Sequence, residues 1–138
     1  METWAEVVNW YRDERDVSAL AERFEAAGMA PATVERLLRA GLMGGLTAAD
    51  WAQVGPLGVA LVTAEVDRAA DVARRRAAAL RSAAIADLAQ ATSIAEIARQ
   101  LGQTRQAVSQ AAHNRRLSYA WARDVVADAN RLIEGAAR

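Results

Sequence analysis

Cysteine is absent from the 138 residues, which excludes a disulfide, a thiolate metal ligand and a cysteine nucleophile. Lysine is absent as well. All 17 basic residues are Arg, so there is no Schiff-base lysine and no lysine of a phosphate-binding P-loop. A single histidine, His113, rules out a multi-histidine metal centre. Proline occurs only at Pro31 and Pro56, so little in the chain breaks a helix. No apolar run approaches the ~20 residues that a membrane span needs. The acidic opening Met1-Glu2-Thr3-Trp4-Ala5-Glu6 differs from the basic-then-apolar start of a signal peptide, so the chain reads as cytoplasmic with no membrane partner. Carboxylate pairs such as Asp13 and Asp16 stand without a glycine loop, a metal cluster or a nucleophile–base set. Neither enzyme activity nor a cofactor is expected.

What is present points to helices. Alanine supplies 35 residues, and Leu and Arg supply most of the rest of the helix-forming bulk. The length suits one ordinary domain or two small ones. The zero net charge is unevenly spread: residues 1–50 carry −4, residues 51–92 carry +1 and residues 93–138 carry +3. A basic C-terminal third is a weak pointer to nucleic acid.

Thr3 and Glu6 form a capping box that opens a helix over about 3–14, with Trp4, Val7, Val8 and Tyr11 on one face. Val17, Leu20, Ala21 and Phe24 repeat the spacing, and Gly28 suits the cap that ends that helix. Pro31 opens a third helix, buried through Val34, Leu37 and Leu38 and stopped at Gly41. Thr47 and Asp50 cap a short helix carrying Trp51. Pro56 then opens a different segment, and from Val59 to Leu101 there is no Gly and no Pro. Residues 57–90 read as one helix of about 34 residues, roughly 50 Å long, anchored by Leu61, Val72, Leu80 and Leu88, with a possible break near Arg81–Ser82. The expected architecture is all-α. Residues 1–56 form a helical bundle, 57–76 connect through the long helix, and 77–138 form a third region.

That region contains the informative stretch, Ser93 to His113. Ser93 and Glu96 make an S-x-x-E capping box, and Ile94, Ile97, Ala98 and Leu101 line one face of a two-turn helix. Gly102 supplies a tight turn and Thr104 a cap for the next helix, whose Val108 and Ala111 face the core. Two helices crossing through a three- to four-residue turn need glycine where the chain reverses. They also need a small residue, Ala98, at the crossing and apolar residues, Leu101 and Val108, to bury the junction.

This stretch resembles the helix-turn-helix of bacterial DNA-binding proteins. Glu96-Ile97-Ala98-Arg99-Gln100-Leu101-Gly102-Gln103-Thr104-Arg105-Gln106-Ala107-Val108-Ser109 is similar to the DNA-reading segment of the sigma factors' fourth region, of serine recombinases and of small repressors. Gln103 and Ala111 depart from the pattern, where larger apolar residues are usual. The resemblance implies a recognition helix over about 105–114 in the major groove of double-stranded DNA. Its outward residues are Arg105, Gln106, Ser109, Gln110 and His113, whose side chains suit base edges. Arg99 and Thr104 fall where phosphate contacts are expected, and Asn114, Arg115 and Arg116 extend a basic end toward the backbone. No acidic residue occurs from Gln103 until Asp124. His113 has no neighbouring carboxylate in sequence and reads as a DNA contact, not a catalyst.

Gly28 and Val34 repeat the spacing of Gly102 and Val108, but Phe24 replaces the small crossing residue, and Glu22, Glu25 and Glu35 would face phosphates. A packed helical hairpin is the better reading there. Arg74, Arg75 and Arg76 fan over about 200° of a helix and cannot form one patch. Trp4, Trp10, Tyr11 and Trp51 read as anchors of the bundle, with an effector pocket as the other option. A last helix opens at Ser118, with Trp121, Val125, Ala129, Leu132 and Ile133 along a stripe that either covers the core or pairs two chains; a homodimer is expected, through the long helix or, in preference, through this last one. The expected function is sequence-specific DNA binding by a small transcriptional repressor. The alternatives are a helical protein–protein adaptor with a remnant motif and a plasmid partition or maintenance DNA binder. The N-terminal bundle offers a surface to a protein partner.

Overall fold

A computed structural model describes residues 3–113 and 120–137. The protein is all-α, and no strand occurs among the described residues. The helices are α1 (Trp4–Val8), α2 (Val17–Ala26), α3 (Pro31–Leu42), α4 (Ala48–Leu88), α5 (Ile94–Leu101), α6 (Arg105–His113) and α7 (Ala120–Ala136). A 3-10 turn, Glu14–Asp16, precedes α2. The chain divides into two compact units, Met1–Ala73 and Arg74–Arg138.

In the first unit, α1 starts at the Thr3–Glu6 capping box, with both reciprocal hydrogen bonds formed. It is shorter than its apolar spacing suggests. Asn9 caps it, and Tyr11 N–H bonds the Val8 carbonyl in a tighter turn. The turn brings Tyr11 inward, where its hydroxyl donates to Glu65 Oε2 at 2.9 Å. Arg12 completes the group by donating through Nε and Nη2 to the two Glu65 oxygens at 3.2 and 2.5 Å. Glu65 is buried, and burial of a carboxylate is tolerable only with such partners. Burial, reinforced by the Glu65 carboxylate, pushes the Tyr11 phenol well above its ordinary value.

Leu20, Phe24, Val34 and Leu37 of α2 and α3 form the centre of this core, joined by Val62 and Ala69 of α4. The first part of the segment read as a connector therefore belongs to the N-terminal core. Trp4 stacks on Phe24, with ring centroids 5.5 Å apart, and donates from Nε1 to Glu25 Oε1 at 2.8 Å. Trp51 does not anchor the bundle: it is exposed, and the recess beside it holds about 10 Å³, room for one water at most.

Gly41 has a different role from the one its position suggested, and Gly55 marks a bend. Gly41 does not stop α3, which continues to Leu42; a Cβ there would lie 2.5 Å from Val66 Cγ2, so its role is to let α4 approach. Gly55 is the one residue of α4 off helical geometry, at φ 71° and ψ 175°. The ring of Pro56 disfavours α geometry in the residue before it, and only glycine takes this substitute readily. The Thr47–Asp50 cap forms on the near side of the bend, and Arg36 ties it to α3 through Asp50 Oδ1 at 2.9 Å.

In the second unit, α4 runs through Arg81–Ser82 without a break and ends at Leu88. The residues it buries are Ala79, Ser82 and Ile85. Leu80 is only half-buried and Leu88 is exposed, so these leucines are not the anchors their size suggested. Ile85 packs with Ile97, Ala98, Val108 and Ala111 in a separate core.

A candidate nucleic-acid interface on the second unit

The α5–α6 pair is built by local rules. Ser93 caps α5 by accepting the Glu96 N–H at 3.2 Å. The reciprocal half of the expected capping box is not among the bonds Glu96 makes. Its carboxylate is taken by the Arg99 guanidinium and by Gln100 Nε2, because a charge-assisted, two-pronged bond outcompetes a backbone N–H. Arg99 holds the Glu96 carboxyl below its usual range.

Gly102 sits at φ 64° and ψ 33°. The Gln103 N–H then reaches the Ala98 carbonyl at 2.9 Å and the Gly102 N–H the Arg99 carbonyl at 3.3 Å. This pair of bonds is the Schellman closure, and it satisfies carbonyls that α5 would otherwise leave bare. Thr104 caps the next helix by accepting the Ala107 N–H at 3.1 Å. Ala98 is buried at the crossing, where α5 and α6 pack against each other. Val108 and Ala111 close the junction from α6. Leu101 does not: it is 45% exposed, and Ile85 of α4 fills the core in its place.

The predicted contact residues fall as follows. Arg105, Gln106, Gln110 and His113 are exposed on α6, and Ser109 is half-buried between them. Ala107 and Ala112 are half-buried, Val108 and Ala111 fully buried, so the outward face is polar and carries no carboxylate. His113 Nδ1 bonds the Ser109 carbonyl one turn back at 2.8 Å, which ties the ring to its own helix. Thr104 spends its hydroxyl oxygen on the cap, and Arg99 is engaged by Glu96, so neither is an idle side chain at the surface. Asn114, Arg115 and Arg116 lie outside the described residues.

The first unit repeats the turn but not the crossing. Met29 N–H bonds the Phe24 carbonyl at 2.9 Å and Gly28 stands at φ 75°, the same closure as at Gly102. Phe24 occupies the place of Ala98, and α2 and α3 make no comparable close approach. Instead α1 packs against both.

Charge separates the two turns further. Divided at the unit boundary, residues 1–73 hold twelve acids and six Arg, a net −6; residues 74–138 hold five acids and eleven Arg, a net +6. Only the second turn belongs to a basic unit.

Among the described residues, no group of three or more His, Asp or Glu side chains could hold a metal ion, and no helix is long and apolar enough to cross a membrane. Compared with known proteins, the chain matches no family model, no curated protein and no solved structure.

Proposed function

We propose that the second unit binds double-stranded DNA sequence-specifically, with α6 in the major groove, and that the protein acts as a small transcriptional repressor. The observation that carries this is the outward face of α6. Arg105, Gln106, Ser109 and Gln110 project from a short helix held by a tight turn, with no acid among them. Arg pairs with guanine O6 and N7, and Gln with adenine N6 and N7, which are the edges the major groove displays. Arg105 and Gln106 lie in the first turn, the end of a recognition helix that meets bases. An α-helix with its side chains is about 10–12 Å across, which fits a major groove about 12 Å wide. The net charge of +6 on this unit supplies the sequence-independent attraction.

A second reading, a helical adaptor that binds protein, is favoured by the large apolar side chains exposed on α7. Selection from a pool of random duplexes separates the two. A DNA binder enriches a defined sequence. Gln106→Ala or Gln110→Ala then loses about 1–3 kcal/mol on that sequence and almost nothing on random duplex. Equal losses on both reduce these glutamines to generic contacts. No retention of any duplex at low salt overturns the DNA reading and leaves the adaptor.

A further inference from the structure

We propose that the outer face of α7 is a self-docking surface through which two copies of the chain pair, weakly in free solution and more tightly when both recognition helices sit on one duplex. The part that concerns DNA rests on the reading above; the pairing does not.

Two faces of α7 do different things. The inner face seats the helix on its own unit: Ala122 is fully buried, and Asn130 Nδ2 donates to both oxygens of Asp87 at 3.2 and 3.1 Å. The outer face carries Trp121, Val125 and Leu132, which lie within about 40° of one another at 100° per residue. They are 39%, 46% and 76% exposed. Three large apolar residues aligned on one short helix are more than scattered surface hydrophobics, and such a patch marks an association site.

Charge selects the occupant. Three of the five acids of the basic unit, Asp124, Asp128 and Glu134, lie on α7, against two Arg. Phosphates and anionic lipid headgroups are therefore poor partners for this helix. A second copy is a good one. The α7 helices are close to neutral, with Arg131 already paired to Asp128, so two of them meet with little repulsion. The rest of the basic unit, with nine Arg and two acids, cannot approach its twin in that way.

The size of the face sets the strength. Seventeen residues span about 25 Å, and a pair of such helices buries on the order of 1,000 Å² in total, the low edge of specific interfaces. The full chain carries no net charge, so two copies meet without net repulsion. A duplex that holds both copies at once raises their effective concentration, so pairing strengthens on DNA.

Sedimentation equilibrium of the full chain tests the pairing without DNA. From low to several hundred micromolar, the mass is expected to rise from one chain toward two. Val125→Asp with Leu132→Asp is expected to weaken pairing at least tenfold at unchanged helicity. Leu132→Gln, a milder change, gives an intermediate shift, so the result does not depend on one variant. A single chain at every concentration, or a dimer that both variants leave intact, overturns the proposal. The second arm is selection from random duplexes. Wild type is expected to enrich inverted repeats and the double variant single half-sites. Asymmetric single sites from wild type overturn assembly on DNA. Enrichment of nothing refutes the DNA reading instead, and sedimentation still decides the pairing.

Discussion

At Gly102 the backbone lies at φ 64°, and a Cβ built there meets no heavy atom within 4 Å; at Gly41 the backbone is helical, but a Cβ would lie 2.5 Å from Val66 Cγ2. The first position demands a conformation and the second demands space, and substitutions should tell them apart. Asn tolerates left-handed geometry, so Gly102→Asn should keep most of the stability and Gly102→Val should lose about 1–2 kcal/mol or more. Gly41→Ala should cost about 1–3 kcal/mol through overpacking, although alanine is the better helix former. Thermal melts of the variants check both. Tyr11 gives a pH signature. Its phenol is raised by burial first and by Glu65 second, so the folded state favours the neutral ring. That contribution is complete below the ordinary tyrosine value of about 10 and is lost as pH rises through the higher folded value. Phenolate absorbance should therefore show Tyr11 un-ionised just above pH 10 in the folded protein. Its appearance should coincide with unfolding of the first unit, and Tyr11→Phe should remove the step.

Among elements, the crossing of α5 and α6 depends on residues from three helices. Ile85 of α4 packs with Ile97, Ala98, Val108 and Ala111, whereas Leu101, next to the turn, faces water. Ile85→Ala should cost about 2–5 kcal/mol and cost the α5–α6 pair its fold, and with it the DNA binding proposed for it. Leu101→Ala should change stability by less than about 0.5 kcal/mol. The two melts, monitored by helicity, give opposite ranks to those that sequence spacing alone suggests. Leu101 continues the i, i+3, i+4, i+7 series from Ile94, but it falls on the last residue before the reversal, where the core has already ended. The same limit applied to α4: an alanine-rich helix presents no stripe strong enough to say which side is buried, so Leu80 and Leu88 looked like anchors and Ile85 did not. On α7 the apolar stripe was legible at Trp121, Val125 and Leu132, but the helix is seated on a neighbouring face, through Ala122 and Asn130.

In the whole molecule, a unit of −6 and a unit of +6 share one chain of zero net charge. If the basic unit binds a duplex as proposed, the same phosphates repel the acidic unit, at distances where low salt leaves the field unscreened. Replacing exposed acids of the first unit, Glu14→Gln with Glu22→Gln, should tighten binding to random duplex at low salt. The gain should vanish as salt rises, and a titration series in salt measures it. Loss of binding, or a gain unaffected by salt, would show that the charge contrast has no such role.

The sequence by itself determined what local chemistry determines. The excess of alanine and the scarcity of proline made the chain helical. Thr3, Thr47, Ser93, Thr104 and Gly102 marked helix ends, because a cap or a left-handed turn needs particular atoms within a few residues. The polar, acid-free series Arg105, Gln106, Ser109 and Gln110 was legible for the same reason. Only the tertiary structure decided which face of α4 and α7 is buried. It also showed that Glu65 is held by Tyr11 and Arg12 from more than fifty residues away, and that the unit boundary falls at residue 73. Those outcomes depend on which distant groups arrive at the same place, and alanine, small and compatible with either face, leaves that choice to the partners.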